Sequence, residues 1–238
     1  MPPKTIKPLG RKSYGHIGHL PGSRMGPGDH MVHEGQARIA TIKPRDRHDV
    51  IIVQEKLDGS NVGVARLNDG TLVALGRAGY PAQSSPYEQH QLLAAWVRRY
   101  ESRFAFLKPG ERLCGEWLAQ AHGTIYKLTH EPFVAFDLMR DEQRANQEEF
   151  TSRVGAAGFV MPHTLSIGPP VSIETAMTML GEHGFHGAVD RVEGAVWRIE
   201  RNGVVDFLCK FVRPDKIDGC YLPEISNGQA VWNWRPDW

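Results

Sequence analysis

Residues 53–61 read VQEKLDGSN, a run of strand formers that ends in Lys56 and gives way at once to a short polar turn. A lysine amine becomes a nucleophile once it has lost its proton, and Asp58, Gly59 and Asn61 are small or polar groups able to shape the ground around a phosphate. The same residues make ordinary turn chemistry, since Asp-Gly is a common turn pair and a lysine at a strand end is easily solvated. Four residues do not choose between these readings.

Other ionisable residues interrupt apolar, strand-like segments elsewhere. Glu55 and Lys56 end the first, Arg77 follows LVALG, Glu116 sits inside LCGEWL, Asp137 inside FVAFDLM, Glu193 directly before GAVWRI, and Lys210 inside FLCKFV. A buried charge is costly unless paired or used, so several in one chain point to a shared polar pocket. Taken singly, each is more often simply the solvent side of an alternating strand. Their joint order along the chain is what carries information.

The elements that must position them are legible from period and turn chemistry. Strand-length runs VIIVQEK, NVGVARL, TLVALGR, RLCGEWL, PFVAFDLM, GAVWRIE and VDFLCKFV are separated in places by turn signals such as NDG at 68–70 and NG at 202–203. Two hairpins are expected, 62–67 with 71–76 and 195–200 with 204–210. Helical spacing is present in 87–104, in NQEEFTSRVGAAG and in IETAMTMLGEHG. Hairpins with irregularly interspersed helices imply an α+β fold of largely antiparallel sheets. Residues 1–50, rich in Gly, Pro, His and basic side chains, read as an irregular arm flanking a domain over 51–238.

The 238 residues suffice for a sizeable core. With 28 basic and 27 acidic side chains the formal charge is +1, so any binding of nucleic acid must rest on a local patch. No apolar run is long enough to span a bilayer, and the basic amino terminus is not followed by the apolar segment of a signal peptide, so no membrane partner and a cytoplasmic protein are expected. Cys114, Cys209 and Cys220 form no Cys-x-x-Cys pair, and reduced thiols are the expectation.

The ordered series EKLDGSN (55–61), GRAG (76–79), CGEWL (114–118), FVAFDLM (133–139), EGAVWR (193–198) and LCKF (208–211) resembles the nucleotidyltransferase motifs of the covalent ATP-dependent polynucleotide ligase superfamily. It is most similar to the RNA ligases of the RNA-ligase-2-like group, and HLPGSRMGPGD (19–29) resembles an amino-terminal stretch of some bacterial and phage members. The resemblance implies a nucleotidyltransferase (ATP-grasp-like) fold and an ATP-dependent RNA ligase using ATP and Mg²⁺ or Mn²⁺. In it Lys56 forms a lysyl-AMP intermediate, AMP passes to a 5′-phosphate, and that end is sealed to a 3′-hydroxyl. The implied substrate is RNA, nicked or broken duplex, with an end-healing enzyme as a possible partner.

Roles follow by the same resemblance. Lys210 contacts the α-phosphate; Glu193 helps to hold the metal; Glu116 contacts ribose or assists a metal; Arg77 and Asn61 contact ribose and phosphate, and Asp58 and Gly59 belong to the nucleotide-binding turn. Phe136 stacks on adenine with Val196 closing the other face, Glu55 lies at the adenine edge mainly through its backbone, and Asp137 supports the pocket. Two departures stand out. Related ligases carry Lys-x-Lys in the last motif, whereas here Leu208 precedes Lys210, with Lys216 or Arg213 as candidate replacements. Only 28 residues follow Lys210, so no appended OB domain is expected. Arg11, Lys12, His19 and Arg24, with His16 and His30 nearby, are candidate RNA contacts in the arm. Trp232, Trp234 and Trp238 beside Arg235 either stack on bases or fold back as an apolar clasp. Competing functions are a small DNA-nick ligase, a guanylyltransferase, and a catalytically weak RNA-binding relic of the fold.

Overall fold

The computed structural model describes residues 6–238. In chain order the elements are β1 (Gly18–His19), α1 (Glu34–Thr41), β2 (Asp49–Lys56), β3 (Ser60–Arg66), β4 (Leu72–Gly76), α2 (Glu88–Arg99), β5 (Glu111–Trp117), β6 (Phe133–Arg140), β7 (Gln143–Arg144), α3 (Gln147–Ala156), β8 (Thr164–Gly168), α4 (Ile173–Leu180), β9 (Gly194–Arg201), β10 (Val204–Val212) and α5 (Pro223–Ser226). They form two five-stranded sheets, ordered β1-β10-β9-β2-β8 and β4-β3-β5-β6-β7. Every pairing between these strands is antiparallel except β1 with β10. The α+β, largely antiparallel architecture is thus as the sequence implies, and both expected hairpins are present.

The chain divides into two compact units, each holding one sheet. The first, here the Lys56 unit, comprises His16–Gly59, Ala121–His130 and Pro162–Trp238. One face of its sheet is apolar because alternate residues Ile51, Val53, Ala195, Trp197, Ile199, Cys209 and Phe211 point to it, and these pack with Ala37 and Ala40 of α1 and Ala176 of α4. Both helices begin on a side-chain cap: His33 accepts from Gly35 N, and Ser172 accepts from Thr175 N.

The Phe136 unit comprises the stretch ending at Gly15, Ser60–Gln120 and Glu131–Met161. Its core is aromatic. Trp96 of α2 stacks on Phe133 at 5.7 Å between centroids, also 5.7 Å from Trp117, and Phe104 and Phe159 extend the cluster. Such contacts add to the area they bury.

The stretch read as an irregular arm contains two regular pieces. Residues 34–41 form α1, whose core-facing positions Ala37, Ile39 and Ala40 sit within a stretch otherwise rich in Gly, Pro and His. Gly18–His19 is a two-residue strand held by pairing with β10. Strand β8, also absent from the sequence reading, alternates Leu165 and Ile167 with Thr164 and Ser166 but over five residues only.

Candidate active site

In the Lys56 unit, cross-strand register builds one functional face. Opposed residues share a face of a sheet, and Gln54 opposes Val196, Val196 opposes Lys210, and Lys210 opposes His19, giving one row across four strands. Lys56 lies on the same face, two residues beyond Gln54, and opposes Gly194. That glycine is required by close packing, because a Cβ there would overlap the Phe211 carbonyl of β10. It allows β9 and β10 to meet with Glu193 poised immediately before the strand.

The Lys56 ammonium donates to Glu193 Oε2 at 2.5 Å and to the Leu57 carbonyl at 3.3 Å. Burial pushes the Glu193 carboxyl above its ordinary range, while the Lys56 charge pulls the other way. A second ion pair sits behind the turn. Lys216, 5% exposed, donates to Asp58 Oδ2 at 2.8 Å, to the Gly123 carbonyl at 2.5 Å and to Thr124 Oγ1. The same Asp58 oxygen accepts from Gly123 N at 3.0 Å and Thr124 Oγ1 at 3.1 Å, and Asp58 N donates to the Tyr126 hydroxyl at 3.0 Å. The turn after Lys56 is therefore held by charge as well as by turn geometry. Asp58 and Lys216 both act electrostatically on Glu193, so four alternating charges form one cluster.

Glu55 alternates to the opposite face. Its buried carboxylate accepts from Phe185 N at 3.0 Å, its Oε1 is buried without a hydrogen-bond partner, and burial raises its pKa to about 7. Val196 is half-buried in the row beside Lys210.

In the Phe136 unit, Asn61 opposes Glu116 across β3 and β5, so the two share a face. The Asn61 side-chain oxygen is buried without a hydrogen-bond partner. Ser60, next after Gly59, is held through its Oγ by His90 Nε2 at 2.7 Å. Between β5 and β6 the register shifts: Cys114 opposes Asp137 but Gly115 opposes Ala135, leaving Phe136 as the extra residue of a β-bulge. Strict alternation would send Phe136 and Asp137 to opposite faces. The bulge lets both reach Tyr14, whose ring meets Phe136 edge-on at 5.0 Å and whose hydroxyl donates to Asp137 at 2.7 Å. Asp137, fully buried, also accepts from Arg144 Nε at 2.9 Å. Arg77 is exposed just beyond β4; its carbonyl accepts from Ser13 N, and its guanidinium reaches the Gly15 carbonyl at 3.4 Å.

Several expected residues occupy other surroundings. Lys216 is the partner of Asp58, and Arg213 donates to the Val192 and Arg191 carbonyls and to Asp215, so both candidates for replacing the lysine missing at Leu208 are committed to internal bonds. Arg11 pairs with Asp141 and Glu142, Arg24 with Asp218, and Lys12 is exposed. His19, expected as an RNA contact, is 1% exposed and lies beside Lys210. The carboxy-terminal tryptophan segment folds back: Ala121 N donates to the Val231 carbonyl, Tyr126 N donates to Asn233 Oδ1, and Arg235 covers the Trp232 ring at 4.2 Å. Among the described residues no group of three or more His, Cys, Asp or Glu side chains is placed to hold a metal ion. No helix among them is long and apolar enough to cross a membrane.

Sequence reasoning missed Tyr14, Thr124 and Tyr126, which lie outside the motif series. Each acts through a contact at least 65 residues away in sequence, beyond the reach of local pattern.

Comparison with known proteins adds the family. A search of curated proteins finds no match. Among solved structures, the chain is similar to a mutant of the Naegleria gruberi RNA ligase with ATP and Mn, at TM-score 0.55 and 19% identity over 84% of this chain and 60% of that one. A mutant of the same ligase in its apo form matches at TM-score 0.53 and 18% identity, over 96% and 64% of the two chains. An archaeal ATP-dependent RNA ligase matches at 22% identity and TM-score 0.45, over 69% of this chain and 42% of that one. The chain thus spans less than two thirds of the length of these solved proteins. The likeness to the Naegleria structures is one of fold, the nucleotidyltransferase fold of two antiparallel sheets flanked by helices. The family model described as RNA ligase matches residues 49–212, more than half of the chain and the whole run from β2 through β10, and the chain accordingly belongs to the RNA ligase family.

Proposed function

We propose that this protein is an ATP-dependent RNA ligase in which Lys56 is the nucleophile. The observation that carries the reading is the Lys56–Glu193 pair at 2.5 Å, set at the end of β2 beside the Asp58–Lys216 pair and on the face that bears Lys210. A lysine used only as a solvated strand end would not be supported by a second buried ion pair.

In the reaction, the neutral Lys56 amine attacks the α-phosphorus of ATP. A P–N bond forms, the bond to the β-phosphate oxygen breaks, and pyrophosphate leaves with the electron pair. AMP then passes to an RNA 5′-phosphate, and a 3′-hydroxyl displaces it to close the strand. While Glu193 holds the ammonium, Lys56 is kept protonated and inert, so the resting pair must open before attack. Lys210 is the proposed α-phosphate contact. Phe136 and Val196 are proposed for the adenine faces, the Glu55 backbone for its edge, and Asn61, Arg77 and Glu116 for ribose and phosphate. Asp58 and Gly59 shape the turn that presents the lysine.

The donor set fits a divalent cation. Glu193 offers hard carboxylate oxygens, and Mg²⁺ and Mn²⁺ sites beside phosphates typically use one or two carboxylates and complete their shell with water and phosphate oxygen. Glu193 would hold that ion, with Glu116 a further candidate, and the ion would supply positive charge to the phosphate oxygens. The proposed substrate is RNA with 5′-phosphate and 3′-hydroxyl ends in a nicked or broken duplex, with an end-healing enzyme preparing those ends.

The test is incubation with α-labelled ATP or GTP and Mg²⁺ or Mn²⁺, followed by denaturation. Label from ATP on the wild type and none on Lys56→Ala is expected; label persisting on Lys56→Ala, or none on the wild type, would overturn the reading. Preference for GTP would point to guanylyl transfer, and sealing of DNA nicks over RNA nicks to a DNA ligase.

A further inference from the structure

The loop 19–29 closes on the strand that carries Lys210. His19 N donates to the His30 carbonyl and Val32 N to the His19 carbonyl, so the loop's two ends are tied together. Leu20 N donates to the Lys210 carbonyl at 2.8 Å and Arg24 N to the Val212 carbonyl at 2.9 Å, fixing the loop along β10. Ser23 Oγ accepts from Val212 N at 2.9 Å and meets His19 Nδ1 at 2.7 Å. On the other side of the ring, His19 Nε2 lies 3.1 Å from Asp29 Oδ2, which also accepts from Gly26 N at 3.0 Å. Asp29 Oδ1 stands 3.8 Å from the Lys210 ammonium. Such a built arrangement is more than a solvated arm requires.

We propose that this loop is part of the nucleotide site: Asp29 is the resting counter-ion of Lys210, and His19 supplies, on arrival of a nucleotide phosphate, a second cation beside Lys210. The inference rests on the ligase reading given above and assigns to it two residues from outside the matched family region, residues 49–212.

Three charged groups act on His19: Asp29 in its own loop, Lys210 on β10 and Lys56 on β2. Burial and the two lysines hold its pKa below the ordinary value, so the ring is neutral in the resting protein at neutral pH. A polyphosphate brings several negative charges against these lysines and reverses their effect. The ring then takes up a second proton and becomes a cation, with Asp29 placed to accept from its Nε2–H and Ser23 Oγ from its Nδ1–H, and Lys210 is released towards phosphate. Leu208, two residues before Lys210 on the same face of β10, offers no charge of its own. His19 therefore acts as a substrate-binding residue and Asp29 as a positioning residue.

The experiment measures labelled enzyme–AMP formation against ATP concentration, with Mn²⁺, between pH 6 and 9. His19→Gln is expected to raise the half-saturating ATP concentration roughly tenfold at the low-pH end, as loss of a charge-assisted contact does. It should also abolish the weakening of wild-type ATP binding as pH rises. At the high-pH end, where His19 stays neutral and only the Lys210 pairing matters, Asp29→Asn has the opposite sign, lowering the half-saturating concentration, which a merely damaged fold would not do. Leu208→Lys, adding a permanent cation to the same face, should rescue His19→Gln. A wild type that forms the adduct together with a His19→Gln protein of unchanged saturation and pH profile would overturn this inference alone, as would weaker binding by Asp29→Asn at the high-pH end. Were His19→Gln not to fold, Leu208→Lys in the wild-type background decides, since it should flatten the same pH dependence. A wild type that forms no adduct removes the ligase reading and this inference with it.

Discussion

Individual side chains here are held by partners that the local sequence does not announce. Lys216 and Asp58 are the clearest pair, because Lys216 has one carboxylate, one carbonyl and one hydroxyl around a buried ammonium. Replacing one partner of such a pair strands the other's charge, at a cost of about 3–5 kcal/mol. Lys216→Met should therefore lower Tm by roughly 6–20 °C, at about 2–4 °C per kcal/mol for a chain of this length, measured by calorimetry. Glu55 makes a pH-dependent contribution of known sign. Its folded pKa is raised from 4.5 to about 7, so the stability is fully present below pH 4.5 and is lost as pH rises through about 7. Glu55→Gln should remove that loss, gaining up to about 3 kcal/mol at pH 8 relative to the wild type and little at pH 4, read from urea unfolding at both values. Lys56, Glu193 and Lys210 were singled out because they sit at or within apolar strands in the order of the ligase motif series that the sequence resembles. Tyr14, Thr124 and Tyr126 were not, since a tyrosine in a glycine-rich arm or a threonine in a loop looks the same whether or not it touches a distant aspartate.

Strands fix where these side chains point, and alternation with cross-strand register decides which of them share a face. Gln54, Val196, Lys210 and His19 line up because their registers do. The rule fails at β6, where the bulge shifts Phe136 out of step; nothing in FVAFDLM distinguishes a bulged run from a regular one, because the extra residue is counted only against the partner strand. Helix α1 was missed because it lies inside a Gly, Pro and His-rich stretch, and strands β1 and β8 because they run for only two and five residues. Close approach of β9 and β10 at Gly194 gives a prediction at this scale. Gly194→Ala must push the strands apart at the residue opposing Lys56, and a destabilisation of about 1–3 kcal/mol is expected from such overpacking. Formation of labelled enzyme–AMP should fall more steeply than stability, because the displaced segment carries Glu193; equal labelling at temperatures where the variant remains folded would contradict this.

At the scale of the whole molecule, the two units are interleaved along the chain rather than sequential. The backbone passes from one to the other after Gly15, Gly59, Gln120, His130 and Met161. A fragment ending at Met161 would contain β2 without β8, β9 or β10, leaving both its edges unpaired, and should show no cooperative unfolding by circular dichroism. The sequence carries no internal repeat and no obvious linker where the chain passes between these units, which is why it reads as one domain. The separation between Lys56 and Glu193 has a consequence for how the protein is made. The two residues are 137 positions apart, so at roughly 5–20 residues per second β2 waits roughly 7–30 s on the ribosome before its central partner emerges. Until β8 emerges, an apolar strand with two open edges is available to any neighbouring chain, one edge stays open until β9 follows, and Lys56 is among the last groups in the molecule to acquire its surroundings.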